Sequence, residues 1–267
     1  MNYKKILVSI LWVGTIAGLT ASLGFVSKTE REIIAKNLNI QIHNNDENLF
    51  LTENGVKEFF AESQKVIVAN KYKNINILDL EKALNAHPAI ENAEVSEDLN
   101  GDLKIEIKQR TPVLRIINKD GESYYIDSQS KLMPLNENYS ARVIVANGEI
   151  FEPYARRYQF SVNQIRRSKL FSEVSVLDDI LDVAEKINND TSLCQLIHQI
   201  NLNKDKEIEL FPAIGDHKII FGKATEINEK FNKLKLFYRQ GLNKSDTWTK
   251  YTTINLKYKN LVVCTKK

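Results

Sequence analysis

The sequence predicts an α+β protein in three parts: an N-terminal transmembrane helix, a small β-α-α-β-β domain, and a larger, mostly antiparallel β domain with two helices. Three observations carry that reading. Ile6 to Val26 runs for 21 residues without a charged side chain, directly behind Lys4 and Lys5. Residues 93–108 alternate apolar and polar on both sides of Asn100-Gly101, and beyond Pro112 β-rich runs dominate, with helical spacing returning twice.

The apolar run comes first. At ~1.5 Å of rise per residue it reaches ~31 Å, about the hydrocarbon thickness of a bilayer, so it can span as a helix. Trp12, Gly14, Gly18 and Gly24 lie within it, and glycines are tolerated there because lipid offers the backbone no partner outside the helix. The flanking lysines keep residues 1–5 in the cytoplasm by the positive-inside rule and send about 240 residues outside. A cleavable signal peptide is the rival reading, with Thr20-Ala21-Ser22 as its small-residue site. The apolar core exceeds the usual ~7 to 15 residues of such peptides, which favours the retained anchor. No cysteine sits where a lipid anchor would need one.

Residues 27–39 read as a charged juxtamembrane lead, with ordered structure expected from Ile40. Ile40 and Ile42 alternate with Gln41 and His43 as a strand; Val56, Phe59 and Phe60 recur at helical spacing after a Thr52 cap; Leu80, Ala83 and Leu84 repeat the pattern after Asp79. His87-Pro88 stops that second helix. Ala93 and Val95, then Leu103, Ile105 and Ile107, flank Asn100-Gly101, a pair suited to the positive φ values of a hairpin turn. The small domain therefore spans 40–111, with its helices covering one face of its sheet.

From 112 to 267 the expected strands are Val113 to Ile117, Ser123 to Asp127, Arg142 to Ala146, Gln195 to Leu202, Glu207 to Phe211, Lys218 to Phe221, Thr252 to Tyr258 and Leu261 to Cys264. One helix carries Ile180, Val183, Ala184 and Ile187 and ends at Asn188-Asn189-Asp190. The other carries Ile227, Phe231, Leu234 and Tyr238, with Gly241 as its C-terminal cap.

Composition narrows the function. A net charge of +3 with interspersed lysines and acids gives no basic field for nucleic acid. Cys194 and Cys264 could pair in an oxidising compartment or stay as buried free thiols. His43, His87, His198 and His217 are scattered; Cys194 and His198 could share a helix face, yet two ligands do not make a zinc site. Phosphate-binding glycine loops and a Gly-x-Ser-x-Gly elbow are missing from the sequence, and Asp178 with Asp179 fits a solvated helix face. The expectation is a protein without enzymatic activity, metal or cofactor. The basic stretch Arg156-Arg157 to Arg166-Arg167-Ser168-Lys169 reads as the exposed face of an amphipathic element, with anionic headgroups or an acidic partner as the alternative.

The order of parts, together with His87-Pro88-Ala89-Ile90-Glu91-Asn92-Ala93-Glu94-Val95, Asn100-Gly101-Asp102-Leu103-Lys104-Ile105 and Lys108-Gln109-Arg110-Thr111-Pro112-Val113, resembles the FtsQ/DivIB bacterial division proteins, whose small unit is a POTRA domain. Ser123-Tyr124-Tyr125-Ile126-Asp127 followed by Met133-Pro134-Leu135 is similar to that family's entry into its β domain, although its usual glycine is replaced around Ser130-Lys131. The resemblance covers nearly the whole chain and is most specific over residues 86–135. It implies a scaffold of the division machinery in the cytoplasmic membrane, its bulk on the periplasmic side at the septum. The POTRA unit would serve recruitment. FtsB and FtsL would bind the β domain, by adding a strand to an open edge. Ile254, Asn255, Leu256, Lys257, Tyr258, Lys259 and Asn260 stand in the place of the family's last long strand and are the partner-binding residues that the resemblance implies. A POTRA-bearing component of a protein transport system, secreted or anchored, is the alternative function.

Overall fold

The computed structural model describes residues 12–16, 33–35, 38–43, 50–62, 72–75, 77–98, 102–137, 139–154, 161–167, 175–242 and 248–267. Residues 12–16, inside the expected span, are helical, with Trp12, Val13 and Ile16 exposed. The rest of Ile6 to Val26 lies outside the described residues. Among the described residues no helix is long and apolar enough to cross a membrane. The chain forms two compact units: residues 1–43, 52–87 and 92–107 in one, and residues 44–51, 88–91 and 108–267 in the other.

In the first unit a three-stranded sheet has the order β2 (Leu38–His43), β5 (Leu103–Gln109), β4 (Ile90–Glu97). β1 (Ile33–Ala35) pairs antiparallel with β3 (Tyr72–Ile75) in a separate two-stranded sheet. Neither β1 nor β3 was expected, and ordered structure starts before Ile40. Both are three or four residues long, too short for a period of two to register. Helix α1 (Glu53–Glu62) starts where Thr52 accepts from the Gly55 N–H at 3.1 Å, as the cap reading required. Helix α2 (Ile77–Asn85) begins two residues before Asp79 and buries Leu80 and Leu84. The strand after Pro88 starts at Ile90, earlier than Ala93. Asn85 explains the tight turn: its side chain donates to the Ala93 carbonyl and accepts from the Ala93 N–H, both at 2.9 Å. Leu103, Ile105 and Ile107 are fully buried on one face of the central strand. The expected turn pair Asn100-Gly101 lies outside the described residues; on either side of it the Asp98 N–H donates to the Asp102 carbonyl at 2.9 Å.

The second unit is a nine-stranded sheet ordered β14-β13-β12-β11-β10-β9-β6-β7-β8. Its strands are β6 (Pro112–Ile117), β7 (Ser123–Asp127), β8 (Leu132–Met133), β9 (Ile144–Gly148), β10 (Ile197–Leu202), β11 (Ile208–Pro212), β12 (Lys218–Gly222), β13 (Tyr251–Asn255) and β14 (Val263–Lys266). Five of its pairings are antiparallel, but β6 with β9, β9 with β10 and β12 with β13 are parallel. The two long helices account for two of the parallel pairs. α4 (Leu177–Asn188) lies between β9 and β10 in the chain and α6 (Ile227–Phe237) between β12 and β13, and a helical crossover returns the chain to run parallel.

One face of the sheet carries the core. Leu114, Ile116, Ala146, Ile200, Leu210, Ile219 and Ile254 pack against Ile180, Val183, Ala184, Ile187, Phe231 and Leu234. Each fully buried aliphatic or aromatic side chain contributes about 1.5 to 3 kcal/mol. α4 is capped from a distance: Glu152, itself buried, accepts from the Val176 N–H at 2.8 Å and from the Ser175 hydroxyl at 2.9 Å.

Two short helices interrupt the expected pattern, α3 (Val162–Arg167) and α5 (Thr191–Leu196). The strand expected over Gln195 to Leu202 is shortened because Asp190 accepts from the Ser192 and Leu193 N–H groups, each at 3.2 Å, and starts α5. After α6 the chain continues as a π-helical turn, Tyr238–Leu242, so Gly241 sits inside that turn and caps nothing. In α3, Val162 and Ile165 are buried while Arg166 reaches Asp182 at 2.5 Å. That is the exposed-face reading for the described part of the basic stretch; residues 155–160 and 168–170 lie outside the described residues.

Candidate functional site

The expected partner-binding residues fall at the β13 to β14 end of the sheet, and the structure divides them. Ile254 and Asn255 belong to β13, which pairs with β12 through Ile219↔Ile254 and with β14 through Ile254↔Cys264. Their main chain is therefore occupied on both sides, contrary to a free last strand running from Ile254. β13 stops at Asn255, where the Asn255 side chain accepts from the Lys257 N–H at 2.9 Å and turns the chain. Leu256 points into the core and is fully buried, its N–H donating to the Ile220 carbonyl.

The open edge belongs to β14. Among the described residues β13 is its one neighbour. Beside it the connection from β13 exposes two large apolar side chains, Tyr258 at 52% and Leu261 at 62%, and β14 itself opens on a third, Val263 at 45%. Lys259, Asn260 and Lys266 are exposed around them. Sequence reading missed Leu261 and the strand over Val263–Lys266 as binding candidates. The available signal was the apolar run Leu261 to Val263 directly after Asn260, a residue that does adopt left-handed φ, at 59°.

This exposed connection is held firmly. The Lys233 ammonium of α6 donates to the Leu256 carbonyl at 2.9 Å and the Tyr258 carbonyl at 2.6 Å. Lys257 pairs with Glu207 at 2.6 Å, and its stem lies over Gly222, where an added Cβ would stand 2.8 Å from Lys257 Cγ. Just before β12, His217 is 3% exposed and shares a 2.8 Å hydrogen bond between Nε2 and the Tyr238 hydroxyl. Its Nδ1 makes no hydrogen bond of good geometry, although the Trp248 carbonyl lies near enough to favour the charged form weakly. Burial dominates and holds the imidazole below its ordinary value. Burial likewise pushes the Tyr238 hydroxyl above the ordinary phenol range.

The other chemical candidates separate. Cys194 lies in α5 and His198 in β10, so they do not share a helix face. Among the described residues no group of three His, Cys, Asp or Glu could hold a metal ion. Both cysteines are free, Cys194 exposed and Cys264 partly buried. Asp178 and Asp179 stand in the first turn of α4, where burial and the carboxylates of Asp178 and Asp182 raise the Asp179 carboxyl. What the β14 end can do is bind: it offers main-chain donors and acceptors in a row, aliphatic and aromatic side chains beside them, and a fixed turn.

The comparisons with known proteins agree with the domain types. The family described as FtsQ/DivIB, C-terminal related, matches residues 111–265, more than half of the chain, and that described as POTRA-like domain matches residues 33–108. No curated protein matches the chain.

Proposed function

The chain belongs to the FtsQ/DivIB family, which gives it a division-related role, and we propose that it is a non-enzymatic, single-pass membrane scaffold of the division machinery that binds FtsB and FtsL. In this reading residues 1–5 are cytoplasmic, 6–26 span the inner membrane, 27–32 lead out, 33–111 form the POTRA domain, whose start moves back from Ile40 because of β1 and the POTRA-like match over 33–108, and 112–267 form the β domain on the periplasmic side of the septum. The helical, exposed Trp12, Val13 and Ile16 support the span. Partner-binding moves from the strand that the sequence suggested to its neighbour. Val263–Lys266 of β14 accepts the incoming strand, and Tyr258, Lys259 and Asn260 of the expected set stand beside it together with Leu261.

The observation that carries the proposal is the open β14 edge bordered by Tyr258, Leu261 and Val263. β-Augmentation draws affinity from main-chain pairing and specificity from alternate side chains. Amide hydrogen exchange on the full chain in detergent, with and without FtsB, tests it. Slowed exchange over residues 263–266 is the expected result. Exchange there that is identical in the two states, while FtsB is bound, sinks the edge as the docking site.

A further inference from the structure

A groove of about 570 Å³ opens in the second unit where β6, β9 and β10 begin. Its apolar wall is Val113, Val143, Ile144, Val145 and Ile197, together with Pro112; its polar rim is Arg142, Asn188, Cys194 and His198. The sequence placed Arg142 inside a buried strand. In the structure β9 starts at Ile144 and Arg142 is exposed at the mouth.

Three observations specify what the groove would take. Its size lies within the range of about 300 to 1,000 Å³ typical of ligand clefts, and its lining is mainly aliphatic. No carboxylate lines it, and among the described residues Arg142 makes no ion pair or hydrogen bond. By contrast Arg110 is paired with Asp127 and Arg166 with Asp182. The groove is also rigidly framed on one side, since the Asn188 side chain at the end of α4 donates to the Val113 carbonyl of β6 at 2.9 Å.

We propose that this groove is a second docking site, for a peptide segment of a partner protein that lays aliphatic side chains over the starts of β6, β9 and β10 and sets a carboxylate on Arg142. The aliphatic lining supplies affinity through removal of apolar surface from water. The guanidinium supplies direction, because it can hold a carboxylate through two parallel hydrogen bonds, which a lysine cannot. The site is separate from the β14 edge, so it stands whether or not the edge reading holds.

The two free thiols report the two surfaces, since Cys194 lines the groove and Cys264 lies in β14. The full chain in detergent is alkylated with iodoacetamide, and each cysteine's rate is followed by mass spectrometry after digestion. The probe is a short capped peptide of alternating leucine and glutamate, compared with its leucine and lysine counterpart. At ten times its Kd the acidic peptide slows alkylation of Cys194 about tenfold. Cys264 keeps its rate, the lysine peptide protects neither thiol, Arg142→Glu abolishes the protection, and Arg142→Lys weakens it. An unchanged Cys194 rate at saturating acidic peptide overturns the proposal, as does equal protection by the lysine peptide or undiminished protection in Arg142→Glu. Protection of Cys264 alone places the peptide at the β14 edge and also overturns it.

Discussion

The two ends of the nine-stranded sheet meet solvent in opposite ways. At one end β8 is two residues long, and both Leu132 and Met133 are buried. Helix α3 docks beside it, the Val162 N–H donating to the Ser130 carbonyl at 2.7 Å and the Asn163 side chain to the Ser130 hydroxyl at 3.0 Å. At the other end β14 is four residues long, mostly exposed and bordered by Tyr258, Leu261 and Val263. A short, covered edge is how folded proteins avoid unwanted strand pairing. The same chain applies that protection at β8 and omits it at β14, and that difference supports the proposal of a partner strand at β14.

If the β8 end is purely structural, damage there must appear in stability alone, and the largest effect is expected from Asp127→Ala. Asp127 is buried, accepts from the Gln129 and Lys131 N–H groups at 2.9 and 2.7 Å, and pairs with Arg110 at 3.1 Å. Burial raises its carboxyl overall, against the pull of Arg110 and the turn amides. Removing one partner of a buried pair costs about 3 to 5 kcal/mol, and the low end applies here because Arg110 keeps its 2.9 Å bond to the Ile90 carbonyl. Chemical denaturation should show a midpoint shift of that size. Partner affinity at temperatures where the variant is folded should not change.

Tyr258→Ala inverts the expectation. The side chain is half-exposed at the open end, so stability should change by less than about 0.5 kcal/mol. An aromatic anchor lost from an interface costs about 2 kcal/mol, which is about 30-fold in Kd. Titration of FtsB against wild type and variant measures it. Equal affinities would confine the interface to β14 itself and remove the apolar border from it.

Acidification acts on stability through His217, which is buried just before β12. Its folded-state pKa is depressed relative to the unfolded chain. As pH falls below about 6.5 the unfolded state takes up a proton that the folded state refuses, so stability drops until the folded-state pKa is reached. The slope from one such group is at most about 1.4 kcal/mol per pH unit. His87, half-buried in the other unit, is shifted the same way by its partial burial. The raised carboxyls of Asp127, Asp179 and Glu185 act in the opposite sense over this range, so the readout is the difference: between pH 7 and 5 the denaturation midpoint of wild type should fall relative to that of His217→Gln.

The comparison also separates what was legible in the sequence from what was not. α4 and α6 were readable because Ile180, Val183, Ala184 and Ile187, and Phe231 and Leu234, repeat at helical spacing against a single core. The alternation of Leu103, Ile105 and Ile107 declared a half-buried strand. Strand order was hidden, because nothing local in Thr253 or Ile254 states that β12 and β14 will flank it. That pairing depends on α6 returning the chain parallel to β12, a long-range event. The end of β13 was hidden too, since Lys257 and Tyr258 continue the alternation of Ile254 and Leu256 while the Asn255 side chain turns the backbone. The groove left no signature, because Val113, Val145 and Ile197 come from three strands far apart in sequence.

The smallest effect is expected at Ser130, and it bears on how the closed end is built. The family resemblance suggested a glycine near this turn, and Ser130 does adopt left-handed backbone, with φ at 63°. A residue with a Cβ is disfavoured there by about 1 to 2 kcal/mol, so Ser130→Gly relieves strain. The same change deletes the hydroxyl that accepts from Asn163, worth about 1 kcal/mol, and it frees the unfolded chain, worth about 0.4 to 1 kcal/mol. The terms nearly cancel, and the midpoint should move by less than about 0.5 kcal/mol on that arithmetic. Ser130→Ala loses the hydrogen bond and keeps the strain, so it should destabilise by about 1 kcal/mol. If glycine stabilises the protein by well over 1 kcal/mol, the Asn163 contact contributes nothing, and α3 covers the β8 edge through Val162 and Ile165 alone.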